Sequence, residues 1–162
     1  MKNEIWEKIK EVGESWIGTP YFHMARKKGA GADCALFLAC VYEEAGLLSK
    51  VEDLYYSKSW MITGQQELMI EGFQRHLQEY LSPKYNYKKI QEDNFFDFKF
   101  ERGDILCLTT PGSLVCHHAA MYFGEGKLLH AYQRFGVGIT QLKTIWLARL
   151  RCVFRVFEVE NA

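Results

Sequence analysis

The sequence predicts an α+β fold, with N-terminal helices packed on a C-terminal antiparallel sheet or partial barrel. Apolar residues recur at helical spacing early in the chain, at Ile5, Ile9 and Val12, and a long apolar run opens at Cys34. From Gly103 the pattern changes to short strand-like runs separated by turn residues. Helices first and strands later give a segregated arrangement of the two. The chain has 162 residues, enough for one domain with a sizeable core, read as 1–162.

The first helix is expected over 3–17, with Trp6 and Trp16 widening its apolar side. Gly18-Thr19-Pro20 ends it, because glycine stops a helix and proline cannot continue it. Residues 21–33 form a loop with a basic trio, Arg26-Lys27-Lys28. A second helix follows over 34–45, with Asp33 suited to the N-cap and Gly46 to the residue past the C-cap. It is apolar nearly all round and belongs in the core. A third helix is expected over 60–81, with Pro83 just beyond it. The stretch 85–100 is aromatic and charged and shows no clear period. Strands are expected at 104–108, 118–123, 127–132, 138–141 and 150–159. In the last, Leu150, Cys152, Phe154 and Val156 alternate with Arg151 and Arg155, as on a half-buried strand.

Hydrophobic residues make up 48% and charged residues 25%, and the formal net charge is zero. That balance offers no basic footprint for nucleic acid. No segment reaches membrane-spanning length, and the N-terminus reads as an amphipathic helix and not as a signal peptide. A protein that is cytoplasmic as made, or carried on a virion, is the expectation. Five cysteines without a Cys-x-x-Cys pair argue against a disulfide framework.

Cys34 follows Asp33, trails the glycine-rich Gly29-Ala30-Gly31-Ala32 and starts a helix. A thiol there feels the helix dipole and unpaired N–H groups, which favour the thiolate. Cys40, Cys107, Cys116 and Cys152 lack that setting and read as core residues. His117 and His118 are adjacent on a strand and point to opposite faces, so only one shares a face with His130. A three-residue loop, Gly124-Glu125-Gly126, selects His118; a two-residue loop would select His117. A cysteine with a histidine base and an orienting group is the arrangement of a thiol nucleophile. Zinc-ligand spacings are absent, so no metal is expected.

These pieces in order, Asp33-Cys34 and its apolar helix, Arg102-Gly103-Asp104-Ile105-Leu106, His118-Ala119-Ala120-Met121-Tyr122-Phe123-Gly124 and Gly126-Lys127-Leu128-Leu129-His130-Ala131, resemble the NlpC family of cell-wall cysteine peptidases. The resemblance runs from about Trp16 to Phe157, and the stretch from Trp16 to Cys34 looks most like its phage-associated branch. It implies a reduced papain-like fold and hydrolysis of the D-glutamyl–diamino acid amide in peptidoglycan stem peptides. By the resemblance, Cys34 is the nucleophile, His118 the base and His130 the group that orients it. Tyr21 holds the oxyanion beside the Cys34 N–H, and Asp33 recognises a substrate amine. No cofactor is implied; peptidoglycan-derived peptides are the implied partners, with phage tail proteins a further expectation. One departure bears on the substrate: Ala35-Leu36 stands where the family commonly has Ser-Gly. A thiol acyltransferase or lipid amidase on the same fold is the alternative if a greasy groove opens beside Cys34. A non-catalytic binding module, as in a phage tail, is the other if Cys34 is occluded.

Overall fold

The structure is a computed structural model that describes residues 3–50 and 67–159. Helix α1 covers Asn3–Ser15, and α2 covers Cys34–Glu44. Between them lies a two-stranded ribbon of β1 (Arg26–Lys27) and β2 (Gly31–Ala32). Helix α3 covers Leu68–Tyr80; the first part of the expected 60–81 helix lies outside the described residues. The strands are β3 (Tyr85–Ile90), β4 (Ile105–Thr109), β5 (Cys116–Gly124), β6 (Lys127–Tyr132), β7 (Gly136–Gln141) and β8 (Leu150–Glu158). A one-turn helix, α4 (Thr144–Leu147), precedes β8.

Strands β3 to β8 form one antiparallel sheet in the order β3-β8-β4-β5-β6-β7. β3 falls in the stretch left unclassified from sequence. It is an edge strand on which Tyr85, Tyr87 and Ile90 are half-buried and Asn86, Lys88 and Lys89 are exposed. The helices cover one sheet face, where Ile105, Cys107, Ala119, Met121, Leu129, Cys152 and Phe154 join the core of α1, α2 and α3. The opposite face carries Leu106, Leu108, Ala120, Leu128 and Val153 under Phe95 and Trp146. Both faces are therefore covered, which explains the long buried runs in β4 and β5.

α1 buries Trp6, Ile9 and Gly13. Gly13 is required by proximity: a Cβ there would lie 2.6 Å from the Leu129 Cδ2, so the bare backbone lets the helix sit on β6. α2 is capped as expected. The Asp33 Oδ1 accepts the Leu36 N–H at 2.8 Å, and Gly46 takes a positive φ of 82° past the helix end.

A buried ion pair fixes the start of β4. Asp104, 1% exposed, accepts from the Arg155 Nε at 2.8 Å and Nη2 at 2.7 Å and from the Glu101 N–H at 2.8 Å. Tyr42 of α2 donates its hydroxyl proton to the neighbouring Gly103 carbonyl, tying helix to sheet.

Candidate active site

The site is built on a parting of two strands. The ladder between β5 and β6 runs from Gly124↔Lys127 through Tyr122↔Leu128 to Met121↔Leu129 and stops there. Beyond that pair, His118 to Ala120 and His130 to Tyr132 continue without ladder pairing, along a buried seam. The Tyr122 N–H donates to the Asp104 carbonyl at 2.8 Å, toward β4. Amides alternate along a strand, so that of Ala119 points the other way, into the seam. There it donates to the Cys34 sulfur, delivered by the first residue of α2. A cysteine on the helix-covered face thus meets the backbone beside a histidine on the other face.

That histidine is not alone. The His118 Nε2 lies 2.7 Å from the His130 Nδ1, and the His130 Nε2 lies 3.0 Å from the Thr140 Oγ1 on β7. His118 is 6% exposed and His130 fully buried. The expected hairpin geometry is reached by a different route. Gly124 pairs with Lys127 across a two-residue turn, Glu125-Gly126, with φ of 52° and 69°. A one-residue register shift between Tyr122 and Gly124 then restores the parity that a three-residue loop would have given. His118 and His130 consequently share a face. His117 turns elsewhere, with its Nδ1 3.5 Å from the Thr110 Oγ1.

Electrostatics correct one expectation. The sequence predicts a Cys34 thiolate, yet Cys34 is 4% exposed. Burial, with the Asp33 charge second, pushes its thiol up to about 12, against the pull of the N–H groups of Ala119, Cys34 and Ala35. Burial, with His130 second, pushes His118 down to about 3, and burial pushes His130 down to about 4. At pH 7 the resting site therefore holds a neutral thiol and neutral imidazoles. Among the described residues no hydrogen bond joins the sulfur to His118, and such contacts are commonly loose before substrate binds.

Tyr21 bridges to Ala32, just before Asp33. Burial, then the charges of Cys34 and Asp33, raise its hydroxyl above the ordinary tyrosine range, and Gln133 donates to it. Tyr21 therefore keeps its proton and remains a donor beside Cys34. Asp33 is a different matter. It is 1% exposed, and its Oδ1 and Oδ2 accept the N–H groups of Leu36 and Met24, each at 2.8 Å. Met24 holds a φ of 60° in making that bond. The carboxylate braces the helix start and its loop. Two of the basic trio form ion pairs: Arg26 with Glu43 at 2.6 Å and Lys28 with Glu44 at 2.8 Å.

Sequence reasoning missed the aromatic wall over the histidines. The ring of Trp146, on α4, lies 5.9 Å from that of His118 and 5.4 Å from that of His130. Tyr132 lies 5.6 Å from His118, and Phe135 lies 5.8 Å from His130. Phe135 lies in a turn and Trp146 on a single helical turn, both too short for any periodicity to announce, and Tyr132 closes β6. Among the described residues no group of three or more His, Cys, Asp or Glu is placed to hold a metal. No described helix is long and apolar enough to cross a membrane.

Residues 18–155 match the model of the NlpC/P60 family. Among solved structures, an NlpC/P60 family protein from Bacillus cereus is 17% identical over 91% of this chain, with a TM-score of 0.57. This chain spans only 39% of that protein's length. The NlpC/p60 domain of the peptidoglycan hydrolase SagA is 20% identical, covering 91% of this chain and 96% of that one, with a TM-score of 0.51. RipD from Mycobacterium tuberculosis, described as a non-catalytic NlpC/p60 domain protein adapted to peptidoglycan binding, is 16% identical over 95% of this chain and 98% of its own, with a TM-score of 0.51. At these identities the structures speak for the fold. None of the curated proteins matches the chain significantly. Nothing in these matches bears on a phage-associated branch.

Proposed function

Because the chain belongs to the NlpC/P60 family, we propose that it is a thiol hydrolase of peptidoglycan stem peptides, cutting the D-glutamyl–diamino acid amide. The observation that carries the reading is the seam. Cys34 enters it against the Ala119 N–H, beside a His118 whose Nε2 is 2.7 Å from the His130 Nδ1.

The chemistry follows from the neutral resting state. As the sulfur attacks the amide carbonyl, the Cys34 proton passes to the His118 Nδ1, while its Nε2–H donates to His130. The C–S bond forms and the carbonyl oxygen becomes an oxyanion, held by the Cys34 N–H and the Tyr21 hydroxyl. Collapse breaks the C–N bond, and His118 gives the proton to the departing amine. Water, deprotonated by His118, then attacks the thioester and releases the acid and the free thiol. Asp33 acts here through its two backbone bonds, holding the helix start that delivers Cys34.

One observation favours a non-catalytic, peptidoglycan-binding reading: Cys34 is 4% exposed. Digestion of purified stem peptides with mass-spectrometric product mapping separates the two. Hydrolysis by the protein and none by Cys34→Ala supports the hydrolase. Binding of the same peptides without cleavage supports the module.

A further inference from the structure

The two buried histidines do not end the polar chain; Thr140 does. Each ring of the pair, when neutral, has one N–H and one lone pair. The contacts at 2.7 Å and 3.0 Å therefore admit only two proton arrangements, running in opposite directions. In one, the Thr140 hydroxyl accepts from the His130 Nε2–H, the His130 Nδ1 accepts from the His118 Nε2–H, and the His118 Nδ1 keeps its lone pair. In the other, Thr140 donates, every proton shifts by one ring position, and the His118 Nδ1 carries a hydrogen. Only the first leaves His118 able to take a proton from Cys34.

From this we infer that Thr140 is a positioning residue, whose hydroxyl accepts from the His130 Nε2–H and so holds the arrangement in which His118 presents an unprotonated Nδ1. The inference rests on the hydrolase reading of Cys34 and His118, but its tautomer consequence stands without any substrate. The location suits the role. Thr140 stands opposite Leu128 on β7, diagonal to His130, and is partly exposed. Its own O–H can be satisfied by water while its lone pair serves His130. Gly138, which faces His130 directly, offers no side chain to do so. The nitrogen protonated in a histidine is set by the hydrogen bond its other nitrogen makes, so a hydroxyl on β7 can decide the base.

Two variants test this. Thr140→Val keeps shape and removes the hydroxyl, and Thr140→Ser keeps the hydroxyl. The first readout is the nitrogen NMR spectrum of the free protein labelled at histidine. In wild type and in Thr140→Ser, His118 should show a pyridine-like Nδ1 and a pyrrole-like Nε2. In Thr140→Val those signals should shift toward the other tautomer or an average. The second is stem-peptide turnover, in which kcat should fall roughly tenfold or more in Thr140→Val with KM little changed, and recover in Thr140→Ser. Unchanged tautomer signals in folded Thr140→Val overturn the inference. So does a wild-type Nδ1 that already bears the hydrogen. If wild type cleaves no stem peptide while the tautomers respond as expected, the substrate reading fails and the positioning role stands.

Discussion

Raising the pH isolates the protonation state on which the mechanism rests. Cys34 is pushed up to about 12 from an ordinary 9.0, by burial first and Asp33 second. At pH 7 its thiolate fraction is then about 10⁻⁵, against about 10⁻² for the ordinary thiol. A more basic thiolate is the better nucleophile, and a Brønsted slope of about 0.45 returns roughly 20-fold of that deficit. The net handicap against a free-cysteine peptide is about 50-fold in the rate with iodoacetamide, before steric shielding is counted. Brief labelling at pH 6 to 10, followed by peptide mapping, measures it. The rate at Cys34 should climb about tenfold per pH step of one with no plateau in this window. A rate at pH 7 equal to the free peptide's, or a plateau from pH 6 to 8, would reveal a thiolate–imidazolium pair and refute the neutral resting state.

Other expectations follow from the same packing. His118 and His130 are held neutral far below the ordinary 6.5 of imidazole, so their contribution to stability is present above pH 6.5 and lost as pH falls toward 3 to 4. Denaturant midpoints should fall across that window, and His118→Gln should flatten the fall. Arg155→Met strands the carboxylate of Asp104, 1% exposed, and should cost about 3 kcal/mol in urea unfolding; a loss below about 1 kcal/mol would show that the carboxylate is satisfied without it. Gly136→Ala places a Cβ 2.1 Å from the Thr19 carbonyl at a φ of 74°, and should cost about 2 kcal/mol or more by the same assay. An unchanged midpoint would show that the 18–21 segment carrying Tyr21 yields freely.

Some of this site is legible in the residue order. Asp33 before an apolar run is a helix cap whatever surrounds it, and two histidines twelve apart flank a glycine-rich turn. Their shared face depends on parity, and parity survives when a two-residue turn and a bulge replace a three-residue loop. Other features have no local signature. The seam is where the β5–β6 ladder stops, at Met121↔Leu129, inside two apolar runs. The helix start that favours a thiolate is local, whereas the burial that outweighs it at Cys34 is tertiary. Thr140 and Trp146 are ordinary residues in their own segments and acquire a role only when β7 and α4 close on the histidines. β3 does alternate, with Tyr85 and Tyr87 half-buried and Asn86 and Lys88 exposed, but it is six residues inside a longer aromatic and charged stretch.

The most direct test of the account uses a stem peptide whose D-glutamyl carbonyl is a chloromethyl ketone in place of the scissile amide, so that the attacking sulfur displaces chloride and leaves a stable thioether. Such a probe brings its own binding energy to the seam and reports which sulfur attacks. One equivalent should add to the protein, mapped to Cys34, with none on Cys40, Cys107, Cys116 or Cys152. Labelling should vanish in Cys34→Ala and slow by about 100-fold or more in His118→Ala. Attachment at another cysteine, or a His118→Ala variant labelled at the wild-type rate, would contradict the claim that Cys34 and His118 work as nucleophile and base.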